Sequence, residues 1–394
     1  MKVALVHELL TMKGGAERVL RILAEMFPDA PIYTLLYDEK KLGDWFPKER
    51  VRFSNQQPET RNPFPWKFNH HVYLSRFPQA VEAWDFSAFD LVISSSSAFA
   101  HNIITNGKPK HLSFVNSPAR YLWDRTHDVL EQAGKGLLGP LKRTYLERTF
   151  HNLRLWDSES SARADRIIVS SKEVQRRVEL YWRRESTVVY PPIDDFWLHQ
   201  SQIVNRKSQI REQMQHPDYF LVVSTLVPYK RIDLAIEACT RLGVHLKIVG
   251  EGSDRQRLER MANRKSQIVN RKSISFYGYR RSDELADLYV GASATIVPGD
   301  EDFNLVALES MACGTPVIAY AAGGPLETII EGKTGEFFRE PTAASLQEIM
   351  EKYDQKMYSS EECRAQAKQF SKEKFLQSME HEIENVMQGN ENTK

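Results

Sequence analysis

Short apolar, β-branched runs alternate with amphipathic helical segments along nearly the whole chain, and the pattern starts twice. The first set is "KVALVHE", "PIYTLLY", "DLVISSS", "HLSFVNS", "RIIVSS" and "TVVYPP"; the second is "YFLVVST", "HLKIVGE", "SISFYGY", "ATIVPG" and "PVIAYA". Runs that are apolar throughout, without strict alternation, fit strands covered on both faces of a parallel sheet. Between them the apolar period is that of a helix. Val19, Leu20, Leu23, Ala24 and Phe27 share one face after Gly14-Gly15, and Leu234, Ala235, Ala238 and Leu242 share another after Arg231. Strand–helix alternation implies right-handed crossovers and doubly wound sheets. With 394 residues the chain is too long for one ordinary core. The reading is therefore α/β, two Rossmann-like domains. The break is placed at "VVYPPIDDFW", with a linker around residues 190 to 217 and domains over 1–195 and 196–371.

Composition removes several classes. A net charge of +1 argues against a nucleic-acid partner held by bulk electrostatics. Cys239, Cys313 and Cys363 are far apart and form no C-x-x-C pair, which suggests a reducing compartment and no zinc site. The start "MKVALVHELLTMKGGAER" lacks the features of a signal peptide, and no apolar stretch is long enough to span a bilayer. A cytoplasmic location is expected, and peripheral contact with the inner membrane face is compatible with it. Phe64, Trp66, Lys67, Phe68, Tyr73 and Arg76 form either an interfacial patch or core aromatics with charged flanks. "SQIVNRKS" occurs at 201–208 and again at 266–273 and reads as two inserts in surface loops. In the tail, Ser359 and Glu362 offer a capping box, and Phe370, Phe375 and Met379 a docking stripe.

Ligands of open parallel sheets bind beyond the carboxyl ends of the strands. Gly14 and Gly15 stand there in the first half, serving either as a simple turn or to bring backbone close to an anion. No G-x-G-x-x-G follows, which disfavours a nicotinamide cofactor. In the second half Lys230 and Arg231 follow a strand and precede a helix, a place suited to phosphate oxygens. Gly250, in "KIVGEG", marks a further strand–glycine turn compatible with a nearby base or ribose.

"GDEDFNLVALESMACGTPVIAYAAGG" carries Glu301 and Glu309 with seven residues between them. A helix is predicted to begin near Asn304 or Leu305, its free amides facing the crevice of Lys230. Glu309 then lies about 7 Å further along the axis, roughly the step from a diphosphate to a ribose. Asp300 and Asp302 form an Asp-x-Asp pattern that can hold a divalent cation under a diphosphate. Lys230, Arg231 and the helix amides already offset that charge, so no metal is expected.

With these residues in hand, "PGDEDFNLVALESMACGTPVIAYAAGGPLETI" resembles the Glu-x7-Glu signature of the retaining group 1 nucleotide-sugar glycosyltransferases of GT-B architecture. "LVPYKRIDLAIEA", "LRLWDSESSARADRIIVSSKEVQRRV", "VVYPPID" and "NSPARYLWD" resemble its bacterial mannosyltransferase-like branch, which builds surface polysaccharides. The resemblance implies two Rossmann-like lobes facing across a cleft, with a final helix, here about 372–390, returning to the first. It implies transfer of a hexose, mannose by branch, from a nucleoside diphosphate sugar such as GDP-mannose to a saccharide or lipid-linked acceptor, without cofactor or metal. By position, Gly14 and Gly15 meet the diphosphate and acceptor side, and Lys230, with Arg231, binds the diphosphate. Glu301 contacts the donor sugar, the amides of Asn304, Leu305 and Val306 its phosphate, and Glu309 the ribose. Glu309→Ala is then expected to weaken donor binding and spare the fold. Four positions depart from the pattern. Asn116 stands where the family commonly has an active-site His, Ser97 where "SSSHA" is common, Thr225 at a diphosphate Arg, and Asn304 at a Gly. Lys230, Glu301 and Asn116 are the candidate catalytic groups. A catalytically impaired sugar-nucleotide binder is the alternative these departures raise, and an epimerase of similar fold is a second.

Overall fold

The computed structural model describes residues 1–53, 74–198, 219–269 and 273–389. The chain divides into two compact units, Met1–Tyr190 with Gln377–Lys394, and Pro191–Leu376.

In the first unit the strands are β1 (Val3–His7), β2 (Leu9–Leu10), β3 (Ile32–Thr34), β4 (Leu36–Tyr37), β5 (Val51–Phe53), β6 (Leu91–Ser96), β7 (Lys110–Val115), β8 (Arg166–Val169) and β9 (Thr187–Val188). Seven form one sheet in the order β5-β3-β1-β6-β7-β8-β9, while β2 and β4 pair separately. Neighbours run parallel, and the β1–β6 register sets Val6 beside Ser94 and His7 beside Ser95. Every residue of β1 and β6 is buried, as expected of central strands covered on both faces. The helix Gly15–Met26 buries Val19, Leu20, Ile22, Leu23 and Ala24. Phe27 is its C-terminal cap rather than a core position.

The second unit holds β10 (Tyr219–Val223), β11 (His245–Val249), β12 (Ile274–Gly278), β13 (Thr295–Val297), β14 (Val317–Tyr320) and β15 (Gly335–Phe338), in the order β12-β11-β10-β13-β14-β15. Every pairing is parallel. Its core joins Val222, Ile248, Ile296 and Ile318 from the sheet to Leu234, Ala235 and Ala238 of the helix Ile232–Leu242. β5 and β15 escape the sequence reading because they are short edge strands, one of them opening on glycine.

The two expected boundaries move, one five residues earlier and one five later. Pro191–Leu198 packs with the second unit because the Ile193 amide donates to the Phe370 carbonyl at 2.9 Å and Trp197 meets Tyr289 edge to face at 5.7 Å. Glu382, in the returning segment, pairs with Arg166 at the start of β8. Phe370, Phe375 and Met379 are all buried. Ser359 caps the helix Ser360–Lys368 by accepting from the amides of Glu361 and Glu362. The second "SQIVNRKS" copy is not simply a loop insert: its first four residues, 266 to 269, end the helix Arg255–Val269. The first copy lies outside the described residues, as do Phe64, Trp66, Lys67, Phe68 and Tyr73.

Candidate functional site

β10 ends at Val223 and leads into a single 3-10 turn, Pro228–Lys230, before the helix Ile232–Leu242. Arg231 caps that helix in the left-handed region, φ 52°, and its guanidinium lies 3.4 Å from Asp233. Lys230 turns the other way. Its ammonium pairs with the Glu301 carboxylate and sits 5.1 Å from the centre of the Tyr229 ring. Burial alone would lower the Lys230 pKa; the charge of Glu301, reinforced by Tyr229, the Glu301 hydrogen bond and Asp302, outweighs it and holds the pKa above the ordinary value. The ammonium therefore stays charged at neutral pH.

Glycines bring these two elements together. A Cβ on Gly299 would lie 3.0 Å from both Cα and O of Lys230. Gly323, at φ 64°, would place one 2.1 Å from the Glu301 carbonyl, and Gly324 one 2.2 Å from Cα of Phe303. The Gly324 amide donates to the Glu301 carbonyl at 2.8 Å. The Gly323-Gly324 pair that closes the 299–324 stretch thus seats the acidic loop 300–303 against the segment after β14. Gly250 has a comparable packing reason: at φ 129° a Cβ there would stand 1.9 Å from the Ser224 carbonyl oxygen.

The helix begins at Leu305 and runs to Ala312, with Asn304 as its cap. Asn304 adopts φ 77°, which asparagine tolerates better than most residues, and its Oδ1 accepts from the Ala307 amide at 3.0 Å. Asparagine in place of glycine therefore keeps the local backbone and adds a cap. Helix geometry leaves the first-turn amides of Leu305 and Val306 without intrahelical partners, next to Glu301 in sequence. Glu309 lies one turn on, 3% exposed, accepting from the Tyr289 hydroxyl at 3.0 Å. Tyr289 is itself fully buried. Glu309→Ala would remove an acceptor of the buried Tyr289 hydroxyl, so a cost in stability is expected beside the loss of donor affinity. Nothing in the sequence around Tyr289 distinguishes it from a core aromatic.

The strand ends of the first unit are built differently. His7 lies between a backbone acceptor and a carboxylate: Nδ1 donates to the Ser95 carbonyl at 2.8 Å and Nε2 stands 3.7 Å from Glu17. Burial pulls its pKa down, but Glu17, Glu8 and the Ser95 carbonyl together leave it raised. Glu17 also accepts from the Gly14 amide at 3.0 Å. Gly14 is therefore not an open phosphate donor in this structure. Its amide is occupied, and Glu17 sets a negative charge on the first turn where an anion would have to sit. Gly15 is simply the first helical residue. Glu8, 4% exposed, accepts from the amides of Ser97 at 2.6 Å and Ala100 at 3.3 Å. The Asn116 amide donates to Ser95 Oγ at 3.1 Å and to the Ser96 carbonyl at 3.3 Å.

Below these lies a network the sequence reading missed. Ser96 Oγ is 2.8 Å from His101 Nδ1, and His101 Nε2 is 3.1 Å from Asp157 Oδ1. Asp157 also accepts from the indoles of Trp123 and Trp182, each at 2.8 Å. The sequence of groups is that of a Ser–His–Asp relay, but none of the three is more than 2% exposed. The three side chains are enclosed, and their contacts tie the turn that follows β6 to the helix Gly139–Ser160. Among the described residues no group of three or more His, Cys, Asp or Glu side chains forms a metal-binding arrangement. No helix among them is long and apolar enough to cross a membrane.

Lys230 and Glu301 thus meet within the second unit, four residues before the helix that starts at Leu305, while Gly14 and Asn116 belong to the first. The family-model match falls within the second unit. Residues 205–372 match the family model "Glycosyl transferases group 1". A D-inositol 3-phosphate glycosyltransferase of Thermomonospora curvata is 32% identical over 201 residues, 46% of this chain and 47% of that protein. An uncharacterized glycosyltransferase of Methanocaldococcus jannaschii is 27% identical over 177 residues, 45% of this chain and 46% of that one. The matched region spans about half the length of these curated relatives. Among solved structures, Anabaena HepE in complex with UDP aligns over 98% of this chain and 100% of its own, with TM-score 0.67 and 18% identity. The sucrose-phosphate synthase of Thermosynechococcus elongatus aligns over 99% and 100%, with TM-score 0.70 and 17% identity. The fold is GT-B, two α/β domains with parallel sheets.

Proposed function

We propose that this chain, whose second unit carries the group 1 glycosyltransferase sequence, is a retaining, metal-independent hexosyltransferase. In this reading it moves a hexose, mannose by its branch resemblance, from a nucleoside diphosphate sugar to a saccharide or lipid-linked acceptor in surface polysaccharide synthesis. The observation that carries the reading is the Lys230–Glu301 pair beside the Leu305 helix start. A charged, largely buried lysine and two first-turn amides suit the charge that develops on a departing diphosphate. Glu301, once the diphosphate takes Lys230, is the acceptor for donor-sugar hydroxyls. Exchange of Tyr289 for ribose hydroxyls would give Glu309 its part in the donor site.

Calorimetric titration with GDP-mannose and UDP-glucose tests this. Lys230→Ala is expected to lower donor affinity 10- to 100-fold, the loss of a charge-assisted contact of about 1.5–3 kcal/mol. Unchanged affinity in the variant, or no binding of either donor by the parent, would overturn the reading. A second reading is favoured by Asn116, whose amide is bonded to the end of β6: a sugar-nucleotide binder with impaired transfer. Donor binding without turnover on a crude lipid-linked acceptor would select it.

A further inference from the structure

The helix Gly139–Ser160 has two apolar stripes. One, Leu146, Phe150 and Leu153, is buried in the first unit's core. The other faces solvent: Leu138 is 70% exposed, Leu141 72% and Tyr145 45%, and Leu137 just before them is fully exposed. Leu138, Leu141 and Tyr145 fall at helical spacing on one side, so the four residues form a contiguous patch.

The patch sits on a tight tip rather than a loose end. The tip joins the helix Thr126–Ala133 to the helix Gly139–Ser160. Gly139 donates to the Gly136 carbonyl at 2.9 Å, and a Cβ at Gly139 would fall 2.0 Å from the Gly134 carbonyl oxygen. Around the leucines stand exposed cations: Lys135, Lys142, Arg143 and Arg148. Arg143 pairs with Glu147 at 2.8 Å, and residues 132 to 146 contain no acidic side chain, Glu131 and Glu147 standing at its two edges. An apolar tip ringed by cations complements a surface that is apolar within and anionic outside.

We propose that this tip docks on an anionic lipid surface, Leu137, Leu138 and Leu141 entering the headgroup boundary and Lys135 and Lys142 meeting lipid phosphates. The proposal stands apart from the donor reading, since it needs neither nucleotide nor acceptor. It is tested by co-sedimentation of the full chain with phosphatidylcholine vesicles and with vesicles of equal parts phosphatidylcholine and phosphatidylglycerol. Binding is expected to the anionic vesicles and to fall steeply with salt. Lys135→Glu with Lys142→Glu is expected to weaken it about 25-fold or more, and Leu137→Ser with Leu138→Ser and Leu141→Ser about ten-fold or more. These side chains are exposed, so circular dichroism and calorimetric donor titration of both variants should match the parent. Equal binding to the two vesicle types, no binding to either, or full retention by either variant overturns the proposal. So does a concentration-dependent dimer of the parent that the serine variant abolishes, which would make the tip a contact with a second copy.

Discussion

The strand ends of the two units use the same architecture and opposite chemistry. In the first unit buried carboxylates close the strand ends. Glu8 holds two backbone amides, Glu17 holds the Gly14 amide, and Asp157 gathers His101 and two indoles. Each anion is consumed by donors of the same unit. In the second unit a lysine occupies the comparable position, balanced by one carboxylate, with a helix start beside it. A balanced pair next to first-turn amides can be opened by an incoming anion; a carboxylate wrapped in donors cannot. The difference separates a scaffold from a candidate binding site.

Asp157→Ala should break the first side of this contrast most severely. It removes a fully buried carboxylate that accepts from Trp123 and Trp182 and lies against His101, at a cost of about 3–5 kcal/mol. Urea unfolding followed by tryptophan fluorescence should show the loss. If the midpoint holds, the network is not what secures this unit. Gly323→Ala probes the second side. A methyl 2.1 Å from the Glu301 carbonyl, on backbone at φ 64°, should cost about 2–3 kcal/mol and displace the acidic loop. Stability equal to the parent would mean that the loop is not seated by that glycine.

His111 gives the contrast a pH signature. Burial, then the charge of His101, pushes its pKa down to about 3. The unfolded chain therefore binds a proton that the folded chain does not between roughly pH 6.5 and 3, and stability falls as pH drops through that window. By pH 5 the loss is roughly 2 kcal/mol, at about 1.4 kcal/mol per pH unit. His7 has the opposite sign and another window. Its raised pKa contributes fully below about 6.5 and is lost as pH rises through the folded value. Denaturation of the parent and His111→Gln across pH 5 to 7 separates the two, and an identical acid slope in both would remove His111 from the account. The smallest effect is expected from Tyr289→Phe. Loss of one hydrogen bond to Glu309 should cost about 1 kcal/mol of stability by thermal melting, and freeing the carboxylate should leave donor affinity equal or higher. A marked fall in affinity would make the phenol part of the donor contact.

Much of this was legible in one dimension. Buried parallel strands need apolar residues on both faces, so β1, β6, β10, β11, β13 and β14 announce themselves, as does the helix start at Asn304. The positions of Lys230 and Glu301 after strands were equally readable, because a strand end is a local feature. Gly14 was read both as a simple turn and as an anion contact for the same reason: a glycine turn looks alike whether its amide is open or, as here, taken by Glu17 three residues on.

What the chain order determined, then, is periodicity: two α/β halves and a set of residues delivered to strand ends. What only the tertiary structure decided is which of those residues meet. Glu8 reaches amides 89 and 92 residues away, Asp157 gathers side chains from three other segments, and Lys230 finds Glu301 across 71 residues. Such pairings follow from strand order and sheet register, which bring distant segments within a few ångströms and leave no trace in local composition.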